Sequence, residues 1–269
     1  MRADGIETMR NEQKTWQLLA PDWSKLDTIW QNPLPFVLWP IGSQPLLAHW
    51  LDEAVRRGFE EVELYVADRA TEVKAFLRDT PYWPKKLKVI SLRREADAPA
   101  TAERMDGLPV GELCASLPCE PGELLSYWLE LRNAWLAGRS PDEVTLETFH
   151  PAGGWVGPHA KIHRSVRLRA PFWIGARAEI GANCEIGPNA FVGEHSILDE
   201  NVEVVQACVL PDTYLGKNTR LFQSAAAGGT LIDFRRGCRV EIAERFILGP
   251  VGESVMRKGL RTMMSRMLG

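Results

Sequence analysis

At 269 residues, 45% hydrophobic and 25% charged, the chain has the composition of a globular protein with room for two modest domains. A formal net charge of −3 and a pI near 6.0 exclude a global pull toward nucleic acid, so no nucleic-acid partner is expected. No run approaches the roughly 18 apolar residues of a membrane span.

Met1 to Lys14 is charged and has no apolar core, which argues against a signal peptide. Trp16, Trp23 and Trp30 recur every seven residues with Leu19 and Leu26 between them. Pro21-Asp22 reads as a helix start that sets Trp23, Leu26 and Trp30 on one face, either packed on a sheet or forming an aromatic platform for a ligand. Pro35 to Ile41 reads as a short buried strand and Gly42-Ser43-Gln44 as a turn. Pro45 then opens a helix running to about Arg57, closed by Gly58. His49 on that helix is a packing or surface residue. A strand over Glu61–Ala67, a helix over Ala70–Arg78 and a strand over Leu87–Leu92 complete a strand-helix alternation that predicts a parallel α/β sheet. Glu95 to Glu123, rich in Pro, Ala and Gly, reads as a long loop. Leu124–Ala137 reads as a helix bearing Leu125, Trp128, Leu129, Leu131 and Trp135. The expected division is an α/β domain over 15–138 and a linker over 139–154.

From Val156 onward an aliphatic residue recurs every six positions: Ile162, Leu168, Ile174, Ile180, Ile186, Val192, Leu198, Val204 and Leu210. A small or β-branched residue follows most of these four places later, as at Ala160, Val166, Ala178, Cys184, Ala190, Ser196, Val202 and Cys208. Gly157, Gly175, Gly181, Gly187 and Gly193 follow the aliphatic directly and are expected to tolerate unusual backbone angles. A period of six fits neither helix nor isolated strand but suits a triangular coil of short strands and tight corners. One residue is missing at Leu210-Pro211-Asp212-Thr213-Tyr214, after which Leu215 and Leu221 resume the register. The pattern resembles the hexapeptide-repeat left-handed parallel β-helix of bacterial acyltransferases and sugar nucleotidyltransferases, placed here over 155–248. Such bodies commonly pack face to face, so a homo-oligomer, a trimer through the β-helix faces, is expected. Trp155 and Trp173 are assigned to an upper cap or to contact with the front domain.

Gly252 to Leu268 sets Val255, Met256, Leu260, Met263, Met264, Met267 and Leu268 against Arg257, Lys258, Arg261 and Arg266. Residues 252–268 read as a basic amphipathic helix, which either packs under the repeats or makes peripheral contact with an anionic membrane. The five cysteines, Cys114, Cys119, Cys184, Cys208 and Cys238, have neither C-x-x-C nor zinc-site spacing and read as free thiols in a reducing cytoplasm. The expected localisation is cytoplasmic, with peripheral attachment at the inner membrane surface as the extension of that reading.

The front segment resembles the second half of the signature of sugar nucleotidyltransferases, of type P-K-P-L-x-P-V-x-x-K-P-L. Pro35, Leu38, Pro40, Gly42, Pro45 and Leu46 stand at matching places, and several members of that family also carry a C-terminal hexapeptide β-helix. The resemblance implies a shortened nucleotidyltransferase-like parallel sheet, a sugar nucleotide or sugar phosphate as ligand, and magnesium if transfer survives. The departures concern the chemistry. The family's glycine-rich loop would fall at Asp22-Trp23-Ser24-Lys25-Leu26, and no glycine lies between Gly5 and Gly42. Phe36 and Gln44 replace the two signature lysines, and no Gly-Asp metal dipeptide precedes the repeats; Asp106-Gly107 reads as a turn. Phosphoryl chemistry depends on positioning and charge neutralisation, so these losses predict a protein that binds, regulates or scaffolds in sugar-nucleotide or cell-surface polysaccharide metabolism. No metal site is read from the residues themselves. A further alternative is an active nucleotidyltransferase with an unconventional loop, and the main alternative is an acyl-CoA-dependent acyltransferase binding acetyl-CoA. In it His195 would act as general base, with Glu194 and Asp199 nearby in sequence and His159 and His163 also within the repeats. The bland reading of all three histidines is a solvated surface.

Overall fold

A computed structural model describes residues 15–78, 86–109, 117–120, 122–142 and 145–251. Met1–Lys14, Cys114 and the expected helix over 252–268 lie outside these residues. The chain divides into two compact units, one of residues 1–24, 34–39 and 45–110, the other of 25–33, 40–44 and 111–269. The division therefore falls before the helix Glu123–Ala137, which sequence had grouped with the front domain.

In the first unit, β1 (Thr15–Ala20), α1 (Leu46–Arg56), β2 (Glu61–Val66), α2 (Ala70–Arg78), β3 (Lys86–Ser91) and β4 (Glu103–Arg104) follow in order. The sheet is wholly parallel with strand order β3-β2-β1-β4. Helix α1 follows the extended Pro45, buries Leu46, Leu47, Trp50, Leu51 and Ala54, and gives way to Gly58 at φ +74°. A Cβ at Gly58 would meet nothing within 4 Å, so the left-handed backbone alone accounts for that glycine. Trp16, Leu18, Val62 and Leu64 form the sheet face under α1, where Trp16 packs 5.6 Å from Trp50 and 4.9 Å from Phe59 between ring centroids. Each fully buried aliphatic there contributes about 1.5–3 kcal/mol.

Two sequence expectations fail in this region. Pro21–Trp30 is not helical: Trp16 lies in β1, Trp23 stacks edge-on to Phe36 at 4.6 Å, and Trp30 belongs to the second unit. The sevenfold spacing thus reports three separate environments. Pro35–Ile41 is likewise no continuous strand: Phe36–Leu38 is a turn of 3-10 helix. Prolines at both ends shorten what looked like a hydrophobic run.

The opposite sheet face carries a polar row, Gln17, Glu63 and Lys88, in register across three strands. The Glu63 carboxylate accepts hydrogen bonds from Lys88 Nζ (3.0 Å), Tyr65 Oη (2.8 Å) and Gln17 Nε2 (3.1 Å). These, Lys88 foremost, hold its pKa down at about 2. A depressed carboxylate stabilises the fold above its unfolded pKa, and that contribution disappears as pH falls through the folded value. Glu63→Gln is therefore expected to lower Tm near neutral pH, and the gap to wild type should close as pH is taken from about 4.3 to 2. A gap independent of pH in thermal melts would contradict this assignment.

The second unit contains α3 (Glu123–Ala137) and a long run of short strands distributed over three sheets, each receiving every third strand. The first sheet takes Gly154–Val156, Phe172–Ile174, Ala190–Val192, Cys208–Val209 and Ser224–Ala227. The second takes Lys161–Ile162, Glu179–Ile180, Ile197–Leu198 and Thr213–Leu215; the third takes Arg167–Leu168, Glu185–Ile186, Glu203–Val205 and Arg220–Phe222. These strands pair in parallel, and aliphatics from all three sheets, including Ile174, Ile180, Ile186, Val192, Leu198 and Val204, form one core. Stacked partners lie 18 residues apart early in the run and 17 apart later.

The missing residue sits earlier than the sequence reading placed it. Phe191 pairs with Cys208, and Val209 and Ala207, instead of Leu210 and Cys208, take the inward positions. The shortened corner is the one at Gln206, repeated at Gln223, each with left-handed φ. The glycines also serve differently from expectation. Of Gly157, Gly175, Gly181, Gly187 and Gly193, only Gly187 has positive φ. At Gly157 a Cβ would come within 2.4 Å of the Ala176 backbone nitrogen, so close approach of the next strand excludes a side chain. The left-handed corners are held instead by His159, Arg177, His195 and Asp212 in one column and by Asn183, Asn201 and Asn218 in another.

One outer sheet face is closed by the unit's own helix. Trp155, Trp173, Phe191, Cys208 and Ala225 form an in-register row, each at most 3% exposed. Over it lie Arg132, 4.3 Å from the Phe191 ring centroid, Trp135, 6.2 Å from Trp173, and Arg139, 3.8 Å from Trp155. Trp155 and Trp173 thus pack against α3 and the residues after it.

Candidate functional site

In an open parallel sheet, ligands bind beyond the carboxyl ends of the strands where the order reverses. In the first unit that point lies between β1 and β4. Strand β1 ends at Ala20, so Asp22–Lys25, the window in which the phosphate loop was sought, does follow the first strand. Its backbone is already engaged. The Asp22 N–H donates to Glu95 Oε2 at 2.9 Å, and the Asp22 side chain accepts from the Ser24 N–H at 3.2 Å and the Ser24 hydroxyl at 2.7 Å. An amide that could face an anion is thereby satisfied by an internal carboxylate. Trp23, 5% exposed, and Phe36, 2% exposed, fill the adjoining space with two edge-to-face rings.

Across the switch point, Asp106 stands just past β4, next to β1. The resemblance implies an acidic metal ligand at the end of a later strand, and Asp106, whose order with Gly107 is the reverse of the expected dipeptide and reads as a turn, is the carboxylate that stands there. Arg104 bridges Asp106 on one side and Glu95 on the other. Burial pushes the Asp106 carboxyl up, with Arg104 opposing. Glu95, Arg104 and Asp106 therefore form an ion-pair chain across the switch point. Among the described residues no three His, Cys, Asp or Glu side chains converge as a metal site.

The signature residues are used structurally. Phe36 is core, and the carbonyl of Pro40 accepts a 2.9 Å bond from Trp128 Nε1. A Cβ on Gly42 (φ +68°) would collide with the Trp135 ring at 2.3 Å. Gln44 is half-buried in the second unit. Pro40–Gln44 thus seats two tryptophans of α3 within that unit.

The histidines are placed as follows. His195, with φ +54°, has Nε2 3.5 Å from Arg177 Nη1 and Nδ1 3.9 Å from Asp212 Oδ1, its side chain 22% exposed. His159 occupies the same column, while His163 Nδ1 lies 2.8 Å from Ser165 Oγ at another corner. His49 lies half-buried on α1. Asp199 accepts from Tyr214 Oη at 3.1 Å. A shallow cavity of about 540 Å³ elsewhere in the second unit is lined by Thr28, Ile29, Gln31, Gly237, Arg239 and Glu241. Arg239 there is held by Glu241 and by the Trp30 carbonyl. No family model and no curated protein matches the chain.

Proposed function

We propose that the chain pairs a left-handed β-helix with a shortened nucleotidyltransferase-like domain whose phosphate seat is closed. It acts by binding, regulation or scaffolding in sugar-nucleotide or cell-surface polysaccharide metabolism, on the cytoplasmic side of a membrane. The β-helix reading is supported by the rotation of strands through three sheets with an 18- to 17-residue repeat. The observation that carries the reading of lost chemistry is the Glu95 carboxylate on the Asp22 amide, beside Trp23 and tied through Arg104 to Asp106. With the Asp22 amide taken by Glu95 and Arg104 paired to Glu95 and Asp106, a triphosphate gains little here to offset its desolvation. Incubation with each common nucleoside triphosphate and sugar 1-phosphate, plus magnesium, is expected to release no pyrophosphate above background. Robust turnover would overturn the proposal.

The second reading, a homo-oligomeric acyltransferase using acetyl-CoA, draws on the His195–Asp212 approach. In that case a carboxylate near Nδ1 would orient the ring for proton abstraction at Nε2. Arg177 beside Nε2 disfavours it, because a guanidinium N–H 3.5 Å away occupies the ring nitrogen that would have to take the proton. Coenzyme A is therefore expected to leave Tm unchanged, for the wild type and for His195→Ala alike. A shift of several degrees together with activity lost in His195→Ala would reverse this preference.

A further inference from the structure

The full chain has more carboxylates than cations, 35 against 32, yet Thr148 to Ala178 contains no Asp or Glu at all. The same stretch holds Lys161, Arg164, Arg167, Arg169 and Arg177, together with three histidines. Residues 154–171 form the first circuit through the three sheets, at the end where two of the sheets stop among the described residues, and Arg177 stands at a corner one circuit on. Among the described residues Lys161–Ile162 and Arg167–Leu168 are outermost strands with no further strand beside them, whereas the first sheet is closed there by antiparallel Thr148–His150. At the opposite end the first and second sheets are closed by antiparallel Thr230–Asp233 and Leu248–Pro250.

The core is correspondingly open at this end. Val156, Ile162 and Leu168 are only partly buried, while Ile174, Ile180 and Ile186, one circuit on, are at most 3% exposed. Just ahead of this circuit Leu146 is 82% and Phe149 40% exposed. Glu147, just before the stretch, is taken up by Arg139 and the Trp173 indole N–H; one circuit deeper Glu179 pairs with Lys161 at 2.6 Å, and Glu185 with Arg169 at 2.9 Å and Arg167 at 3.3 Å. Arg164 stands exposed on the rim. An apolar centre ringed by long cationic side chains suits an interface in which aliphatic groups enter shallowly and lysines and arginines reach headgroup phosphates.

We infer that this open end of the second unit docks on a bilayer surface bearing anionic lipid headgroups. Charge complementarity selects this occupant over a second copy of the chain, since two such ends meeting would oppose cation to cation with no carboxylate between Thr148 and Ala178. The surface is distinct from the basic C-terminal segment 252–268, and the inference stands apart from the fate of the nucleotide seat.

The test is flotation of the full chain with vesicles of phosphatidylcholine alone and of two parts phosphatidylcholine to one part phosphatidylglycerol. Partition is expected only onto the anionic vesicles. Arg164→Gln should weaken it about fivefold, the factor corresponding to about 1 kcal/mol per basic residue near an anionic surface. Leu146→Asp should weaken it further; both side chains are exposed, so unchanged thermal melts confirm intact folds. Neutralising Arg257, Lys258, Arg261 and Arg266 together should leave partition onto the vesicles in place. Three results overturn the inference: no partition of the wild type, loss confined to the C-terminal variant, or binding to soluble polyglutamate with vesicle partition insensitive to Leu146→Asp. The last would assign the surface to an acidic peptide.

Discussion

Trp128→Ala is expected to destabilise the second unit by about 3–5 kcal/mol, the cost typical of removing a fully buried tryptophan. Trp128 is 0% exposed, donates to the Pro40 carbonyl at 2.9 Å, packs 5.4 Å from Trp30 and carries Arg132 over its ring at 4.8 Å. Truncation would open a cavity under α3, orphan the Pro40 carbonyl and remove one of two rings flanking a buried guanidinium. Arg132 provides the contrast. It is 2% exposed, and its Nε and Nη1 have no hydrogen-bond partner. Beside it, burial pushes the Cys208 thiol up, with the arginine opposing. A buried cation without a carboxylate is a poor source of stability, so Arg132→Met is expected to be neutral or stabilising despite the lost ring contacts. Urea denaturation of both variants checks the pair. A loss under about 1.5 kcal/mol for Trp128→Ala would mean that α3 is not the structural cover described here.

Gly193→Ala is expected to cost about 3 kcal/mol or more, although alanine adds only one carbon. A Cβ there would lie 2.4 Å from the Pro211 nitrogen and 2.6 Å from the Leu210 carbonyl carbon, both backbone of the corner that follows Cys208–Val209 one circuit on. Two stacked corners would have to separate. Gly58→Ala makes the control: its Cβ meets nothing, so only the left-handed backbone opposes it, at about 1–2 kcal/mol. Equal losses in equilibrium unfolding would show that space is not what the repeat glycines provide.

These cases show which parts of the fold the sequence made legible. Helices α1, α2 and α3 and strands β2 and β3 lie within a residue or two of where their periodicity placed them, because one stripe or face of each is buried. The recurrence of six likewise located the short strands from Gly154 to Ala227. What stayed hidden depends on distant partners. β1 reads Thr15-Trp16-Gln17-Leu18-Leu19-Ala20, too short an alternation to declare itself, and it becomes a strand by pairing with Glu61–Val66. The missing residue was misplaced because Val209 and Leu210 are both aliphatic, and only the pairing of Phe191 with Cys208 decides which points inward. At the candidate site, sequence set Trp23 in the window of the missing loop but on a helix, and the chain there is not helical. Sequence had no means of finding Glu95, 73 positions away on the Asp22 amide, and it noticed Asp106 only as part of a turn because the two-residue strand before it gives no pattern.

The measurement that bears most directly on the closed seat is equilibrium binding of magnesium nucleoside triphosphates to the intact chain, with crystals soaked in parallel. The account predicts no saturable binding at millimolar ligand, and electron density that keeps Glu95 on the Asp22 amide. Phosphates seated on the amides of Asp22–Ser24, with Glu95 displaced and a metal ion on Asp106, would contradict it.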